Sequence, residues 1–275
     1  MALSKGDSIL TTGKKHTFVI CAYRKSPFLE ECIRSLLRQT VSSRLIMVTS
    51  TPNVYISRIS RKYGIPFRIN DGDKGIVQDW NFAYGQAGTP YMTIAHQDDV
   101  YSRFYTEIML RKMERSNKSL IGFTDYAEIR EGKIVKSNIM LNIKRLMLFP
   151  LAVGALQKSR FVRRSILSFG CPICCPSVMF NKDRLPGTIF QTGYRSDQDW
   201  QAWEKLSKLN GNFIYCNRIL TYHRIHEESE TTAIIGDKVR YREDFDMFQQ
   251  FWPAGIAKML VKLYSKSEKS NFMNR

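Results

Sequence analysis

Tyr91-Met92-Thr93-Ile94-Ala95-His96-Gln97-Asp98-Asp99 is the stretch that decides the fold. Its apolar part, which begins at Pro90 and runs to Ala95, reads as a strand buried on both faces. Two adjacent carboxylates follow it. The carboxyl end of a buried strand is where an open α/β sheet places its ligand crevice. Carboxylate oxygens there suit a hard divalent cation, Mn²⁺ or Mg²⁺, which takes one or two protein carboxylates together with phosphate oxygens. The same pair could instead cap a helix beginning near Tyr101.

Upstream, strands and helices alternate. Thr17 to Ala22 is a short apolar run of the buried-strand kind. Ser26-Pro27 has the composition of a helix start, with Ser at the cap and Pro at the first position. Phe28, Leu29, Cys32, Ile33, Leu36 and Leu37 would form the buried stripe of that helix. Arg44 to Thr49 predicts a second strand. Pro52 to Tyr63 predicts a helix ended by Gly64, and Phe67 to Ile69 a third strand. Gly75 to Gln86 predicts a helix, and Pro90 to Ala95 is then the fourth strand. Downstream, Arg103 to Arg115 is amphipathic and Leu120 to Thr124 predicts a fifth strand. This alternation argues for an α/β fold with a mostly parallel central sheet and helices on both faces.

The second half is less regular. Ile129 to Val135 reads as a hairpin around Glu131-Gly132. Leu141 to Ser168 is apolar and basic, and Pro176 to Phe180 predicts a short strand. Trp200 to Leu209 predicts a helix. Phe213 to Cys216 and Leu220 to Arg224 predict two strands, and Phe251 onward predicts a basic C-terminal helical tail.

The 275 residues are 43% hydrophobic and 12% aromatic, enough for a real core, which excludes wholesale disorder. The formal net charge of +17 predicts an anionic partner, whether nucleic acid, a membrane surface or a phosphorylated substrate. The six cysteines have no spacing of a disulfide framework, which points to a reducing, cytoplasmic compartment. Met1 to Lys15 is a basic lead-in without the apolar stretch of a signal peptide. The longest uncharged apolar run, Leu146 to Leu156, contains Pro150 and is too short to span a bilayer.

Two further clusters could carry chemistry. Asp197 and Asp199 stand where a helix begins, so a helix N-terminus would stabilise either as an anion able to accept a proton. Taken alone, capping explains them better. His223-Arg224-Ile225-His226-Glu227-Glu228-Ser229 could meet a phosphate or a metal. Cys171, Cys174 and Cys175 invite a zinc reading, which needs about four ligands. Small buried cysteines shaping a strand explain them better.

The order of these clusters resembles the inverting glycosyltransferases of family 2, which use the Rossmann-like GT-A fold. Val19-Ile20-Cys21-Ala22-Tyr23, Leu29, Cys32, Ile33, Ser35-Leu36 and Gln39-Thr40 are similar to that family's opening strand and helix. Asn70, Gly72, Trp80-Asn81 and Ala83 resemble a second segment of it. The resemblance runs from His16 to Thr232. It implies a domain over 16–235, with a nucleotide half at about 16–125 and an acceptor half at about 126–235. A C-terminal helical extension, 236–275, follows.

By the same resemblance, Asp98 binds the nucleotide-sugar and Asp99 the metal, with His226 near the diphosphate and a candidate metal ligand. Asp197 is implied as catalytic base, with Asp199 its neighbour or fallback. Ala22, Tyr23, Thr49, Ser50 and Asn81 would line the nucleotide-sugar pocket. The sequence departs from the family in two places. Thr49-Ser50 stand where acidic residues often follow the second strand, and His96 stands where an Asp is commoner. The implied activity is inverting transfer of a sugar from a nucleoside diphosphate, by default UDP, to a glycan or lipid-linked acceptor, in surface polysaccharide or lipid-linked glycan assembly.

The segments Lys144-Arg145 and Phe161 to Arg164, and the tail with Lys258, Lys262, Lys266 and Lys269, interleave cations with apolar residues. Such segments favour an anionic membrane surface, which predicts a peripheral position on the inner face. A nucleic-acid-binding protein is the competing reading from charge. No helix-turn-helix, zinc-finger or RNA-recognition spacing supports it. A catalytically inactive relative serving as a scaffold is a third.

Overall fold

The structure is a computed structural model that describes the backbone of residues 15–226 and 238–273 and the side chains of 15–226 and 239–265. Most of the lead-in, Glu227, Glu228 and Ser229, and the side chains of Lys266 and Lys269 lie outside the described residues.

The chain opens with β1 (His16–Cys21), α1 (Leu29–Leu37), β2 (Arg44–Thr49), α2 (Val54–Tyr63), β3 (Phe67–Ile69), α3 (Ile76–Gln86) and β4 (Tyr91–His96). Along β1 the side chains alternate between two cores, as a period of two requires. Phe18, Ile20 and Ala22 pack with Leu29 and Cys32 of α1, and with Ile56 and Ile59 of α2. Val19 packs on the other side with Val48, Ile94, and Ala83 and Tyr84 of α3. Strands buried on both faces must pair on both edges. β1 does so in parallel with β2, Val19 opposite Ile46, and with β4, Val19 opposite Ile94.

Local signals set the helix ends. Asn53 caps α2, its side chain accepting from the Ile56 N–H at 3.0 Å. Gly64 ends it at φ +62°, a left-handed conformation that needs no Cβ. α1 begins later than Ser26-Pro27 suggests. The Ser26 hydroxyl accepts from the Phe28 N–H in a preceding turn, and the helix starts at Leu29. Leu37, expected in the buried stripe, is 54% exposed because the helix closes there.

After β4 come β5 (Val100–Tyr101), α4 (Tyr105–Glu114), β6 (Ser119–Arg130), β7 (Lys133–Val135), α5 (Ile139–Leu148), α6 (Arg160–Ser165), β8 (Val178–Asn181), α7 (Gln198–Ser207) and β9 (Asn212–Ile225). The nine-stranded sheet has the order β3-β2-β1-β4-β8-β6-β9-β5, with β7 paired to β6. The parallel block is β3 to β4. β8 then runs antiparallel to both β4 and β6, and β6 and β9 are parallel again. The hairpin turn at Glu131-Gly132 is present, with both residues at positive φ. The two strands predicted at 213–224 are one strand. Cys216 pairs with Thr124 and Ile219 with Asp125, so Asn217 and Arg218 bulge out of the ladder.

Two helices follow, α8 (Lys238–Gln249) and α9 (Ala254–Met273). Met247, Phe248, Ala257 and Val261 are buried in the same core as Trp200 and Trp203 of α7. No helix among the described residues is long and apolar enough to cross a membrane.

Candidate active site

The two-residue strand β5 does much of the positioning. It pairs with β9, Val100 opposite Tyr222 and Tyr101 opposite Thr221. That register carries Asp98 and Asp99 onto the end of β9, where His223, Arg224 and His226 stand. The two aspartates point to different partners. Asp99 is fully buried, and its Oδ1 accepts from His223 Nδ1 at 3.0 Å and from the Arg224 N–H at 2.9 Å. Asp98 Oδ2 lies 2.9 Å from His226 Nε2, while the Asp98 carbonyl accepts from Arg224 Nε. Neither caps a helix. α4 starts at Tyr105, with no side-chain cap.

The charges follow from this arrangement. Burial works against the Asp98 carboxylate, but the His226 hydrogen bond and the charges of His96 and His223 outweigh it and hold its pKa below the usual aspartate value. Burial likewise opposes a charged His223. The Asp99 charge and hydrogen bond prevail and raise its pKa from 6.5 to about 9. His96 is pushed the other way, mainly by burial. Its ring stacks on Trp80 with centroids 5.3 Å apart.

The exits of β1 and β4 are clasped together by Gln97, which sequence reading passed over. Its side chain accepts from the Tyr23 N–H at 2.9 Å and donates to the Tyr23 carbonyl at 3.0 Å. Ala22 is buried beneath, and Tyr23 is exposed. At the exit of β2, Thr49 and Ser50 are buried. Ser50 Oγ donates to Asp79 Oδ2 at 2.6 Å, and Asn70 Nδ2 donates to Asp79 Oδ1 at 2.7 Å. Asp79 of α3 thus brings a carboxylate to the end of β2, where the local sequence has none. An open hollow of about 540 Å³, lined by Arg24, Lys25, Thr51, Pro52, Asn53, Val54 and Tyr55, lies beside it.

Asn81 is engaged elsewhere. Its amide donates to the Phe190 carbonyl and accepts from the N–H groups of Ile189 and Phe190. It clamps the segment that leads to α7.

Asp197 and Asp199 face different surroundings. Asp197 is 5% exposed and makes no side-chain cap to α7. Burial and then the charge of Asp244, on α8, push its pKa well above the usual range, against the pull of Arg240. Glu243 of α8 holds the approach, accepting from the N–H groups of Arg195 and Ser196 at 2.7 Å and from the Ser196 hydroxyl at 2.6 Å. Asp199 is half-buried, and its Oδ1 accepts from the Trp200 N–H at 2.7 Å. Burial raises its pKa. The Trp200 N–H and the charges of Lys144 and His96 oppose the rise. Lys144 itself donates to the Tyr126 hydroxyl at 3.0 Å.

Cys174 lies within electrostatic reach of both acidic sets. Burial pushes that thiol well up, and Asp99 and Asp199 both add to the rise. The Cys171 thiol lies 3.8 Å from Asp199 Oδ2. Asp99 Oδ2, His96 Nε2 and Asp197 Oδ2 are buried polar atoms without a hydrogen-bond partner in the protein. The arrangement therefore offers acceptors for a cation on one wall and a proton acceptor on the other. Among the described residues, no three His, Cys, Asp or Glu side chains converge tightly enough to hold an ion by themselves. An ion that also binds a diphosphate does not need three.

The sequence profile of "Glycosyl transferase family 2" matches residues 17–181, more than half of the chain. Among solved structures, the fold is similar to S. aureus TarS 1-349 in complex with UDP-GlcNAc. The TM-score is 0.59 at 12% identity, covering 90% of this chain and 70% of that one. It is also similar to the mannosyltransferase PcManGT from Pyrobaculum calidifontis in complex with GDP-Man and Mn²⁺. There the TM-score is 0.59 at 12% identity, covering 91% and 69%. At that identity the likeness is one of fold. A search of curated proteins found no match.

Proposed function

Because the chain belongs to glycosyl transferase family 2 and has the GT-A fold, we propose that it moves a sugar from a nucleoside diphosphate to a hydroxyl acceptor with inversion. The observation that carries this reading is the meeting of Asp98, Asp99, His223 and His226 at the strand ends, with Asp199 within electrostatic reach of His96 beside them. The donor would lie over the exits of β1, β2 and β4. Tyr23, Ser50 and Asp79 would then stand beside its base and ribose. Residues of about 16–125 would serve the nucleotide and those of about 126–235 the acceptor.

In the reaction the acceptor oxygen forms a bond to the anomeric carbon as the carbon–phosphate-oxygen bond breaks. The electron pair leaves on the diphosphate, and the acceptor proton needs a base. Asp199 fits that role better than Asp197. The charges of Lys144 and His96 act on it, whereas Asp197 lies against Asp244 of α8; Arg240 acts on both. Burial raises both carboxyls, so basicity does not separate them and position does; general-base help is worth about 10²–10⁴-fold. His223, charged at neutral pH, contributes positive potential beside the leaving group.

The residues fit a Mn²⁺ or Mg²⁺ ion. Asp98 and His226 pair with each other, and Asp99 Oδ2 is a buried oxygen with no hydrogen-bond partner in the protein, 3.9 Å from His96 Nδ1. Together with diphosphate oxygens these residues would hold it, and when bound it would neutralise charge on the departing diphosphate. One relative is a complex with UDP-GlcNAc and another with GDP-Man and Mn²⁺, which supports a donor of this class, with UDP the default. All six cysteines are free, in keeping with a reaction on the cytoplasmic side. A surface or lipid-linked glycan is the acceptor class this reading favours.

The test is turnover of UDP- and GDP-sugars, with and without Mn²⁺, by wild type and Asp199→Asn. Loss of turnover in the variant, with retained nucleotide binding, supports the reading. Equal, measurable rates in the two proteins would remove Asp199 as the base, and no turnover of any donor by the wild type would leave only a scaffold.

A further inference from the structure

α5 is apolar on two opposite faces. Leu141 and Leu148 are buried, while Ile139, Ile143 and Leu146 are 72%, 42% and 74% exposed. The exposed three recur at i, i+4 and i+7, so they form one stripe. Phe149 follows directly at 67%, and Phe161 on α6 stands at 81%. A helix apolar all round is normally enclosed, and an apolar surface of this kind marks an interaction site.

The cations that flank the stripe are not those the sequence singled out. Lys144 and Arg145 turn inward, to Tyr126 and to Asp125. Arg163 is buried against the carbonyls of Leu209 and Gly211, and Arg164 binds Glu204. Lys136, Lys158 and Arg160 are the exposed ones, and α9 adds Lys258 and Lys262 beside the exposed Met259 and Leu263. α9 packs beside the segment that follows α6, the Tyr264 ring sitting against Gly170.

Charge decides what the surface meets. From Glu131 to Asp183 no Asp or Glu intervenes. A second copy applied to this face would bring cations onto cations. A nucleic acid would match the charge but leave the aliphatic stripe in water. An anionic bilayer satisfies both, with side chains inserted below the headgroups and cations among them.

We propose that the outer face of α5, with Phe149 and Phe161, docks the protein on an anionic lipid bilayer. The inner face of the same helix carries Lys144 to the cleft, so docking would set the acceptor side against the membrane. That consequence rests on the proposed transfer reaction; the binding does not.

The experiment is co-sedimentation of the full chain with extruded vesicles of phosphatidylcholine alone or with about a third phosphatidylglycerol, over a salt series. Binding to the anionic vesicles that weakens with salt is expected. The triple variant Ile143→Ser, Leu146→Ser, Phe149→Ser should lower the partition coefficient about tenfold or more. Lys158→Glu with Arg160→Glu should lower it as well. Both variants should keep the wild-type circular dichroism and the thermal shift with UDP. Equal binding to both vesicle types, or a triple variant that binds as wild type, would overturn the proposal. So would a wild-type dimer, seen by sedimentation velocity, that the triple variant dissociates. Loss of the UDP shift with vesicle binding intact would count against the transfer reaction instead.

Discussion

Replacing His223 by Gln should make the stability of the protein less dependent on pH, in one direction only. The imidazole has an ordinary value of 6.5, and in the fold Asp99 raises it to about 9 against the effect of burial. A pKa raised by folding stabilises the protein where the group is protonated in both states. The contribution is therefore complete below pH 6.5 and is lost as pH rises through 9. At about 1.4 kcal/mol per pH unit, the rise is worth at most ~3 kcal/mol. About a fifth of the side chain still faces solvent (22% exposed), so ~1–2 kcal/mol is the expected size. The assay is urea unfolding of wild type and His223→Gln at several values between pH 6 and pH 9.5. The stability gap should be widest at pH 6 and shrink toward pH 9.5. A gap constant within ~0.5 kcal/mol, or one that widens with pH, would refute the pairing of Asp99 with a charged His223.

The remaining expectations concern the rest of the cleft. Asp199→Asn should lower kcat by about 10²–10⁴-fold in a donor-turnover assay, and Asp197→Asn by less than about tenfold; the reverse ranking would move the base to Asp197. Glu243→Ala removes the acceptor of three backbone N–H groups and a hydroxyl, and should cost ~2 kcal/mol in urea unfolding. A stability change below ~0.5 kcal/mol would show that α8 does not hold the approach to α7. Added Mn²⁺ should increase the thermal shift given by UDP in the wild type. Asp98→Asn and His226→Ala should each remove that increment, and an unchanged increment in both would exclude them as ligands.

Much of the first half of the fold was legible in the chain itself. The buried strand before Asp98-Asp99, the Gly64 stop and the Glu131-Gly132 turn all act through residues next to one another. Their signals are the strand period of two, the helix period and the backbone freedom of particular turn residues. The family resemblance added the order in which acidic pair, helix and R-x-H segment follow one another. Where local signals failed, longer contacts had overruled them. Ser26 made a turn instead of a helix start, and the bulge at Asn217-Arg218 looked like a break between strands because pairing with β6 continues on either side of it.

What each functional side chain touches was another matter. Asp99 and His223 are 124 residues apart, and Asp98 and His226 are 128 apart. Nothing periodic links such positions; the β5–β9 register brings them together. The same holds for Asp79 arriving beside Ser50, and for Asn81 turning away to clamp Phe190. It holds for Glu243 too, reaching the backbone ahead of α7 from a helix that sequence reading treated as an extension. Hydropathy and turn chemistry along the chain determined which elements form and that a crevice lies at their carboxyl ends. Only packing across the sheet decided which aspartate faces the cleft and which cations face outward, because a side chain's partner depends on which distant strand folds beside it.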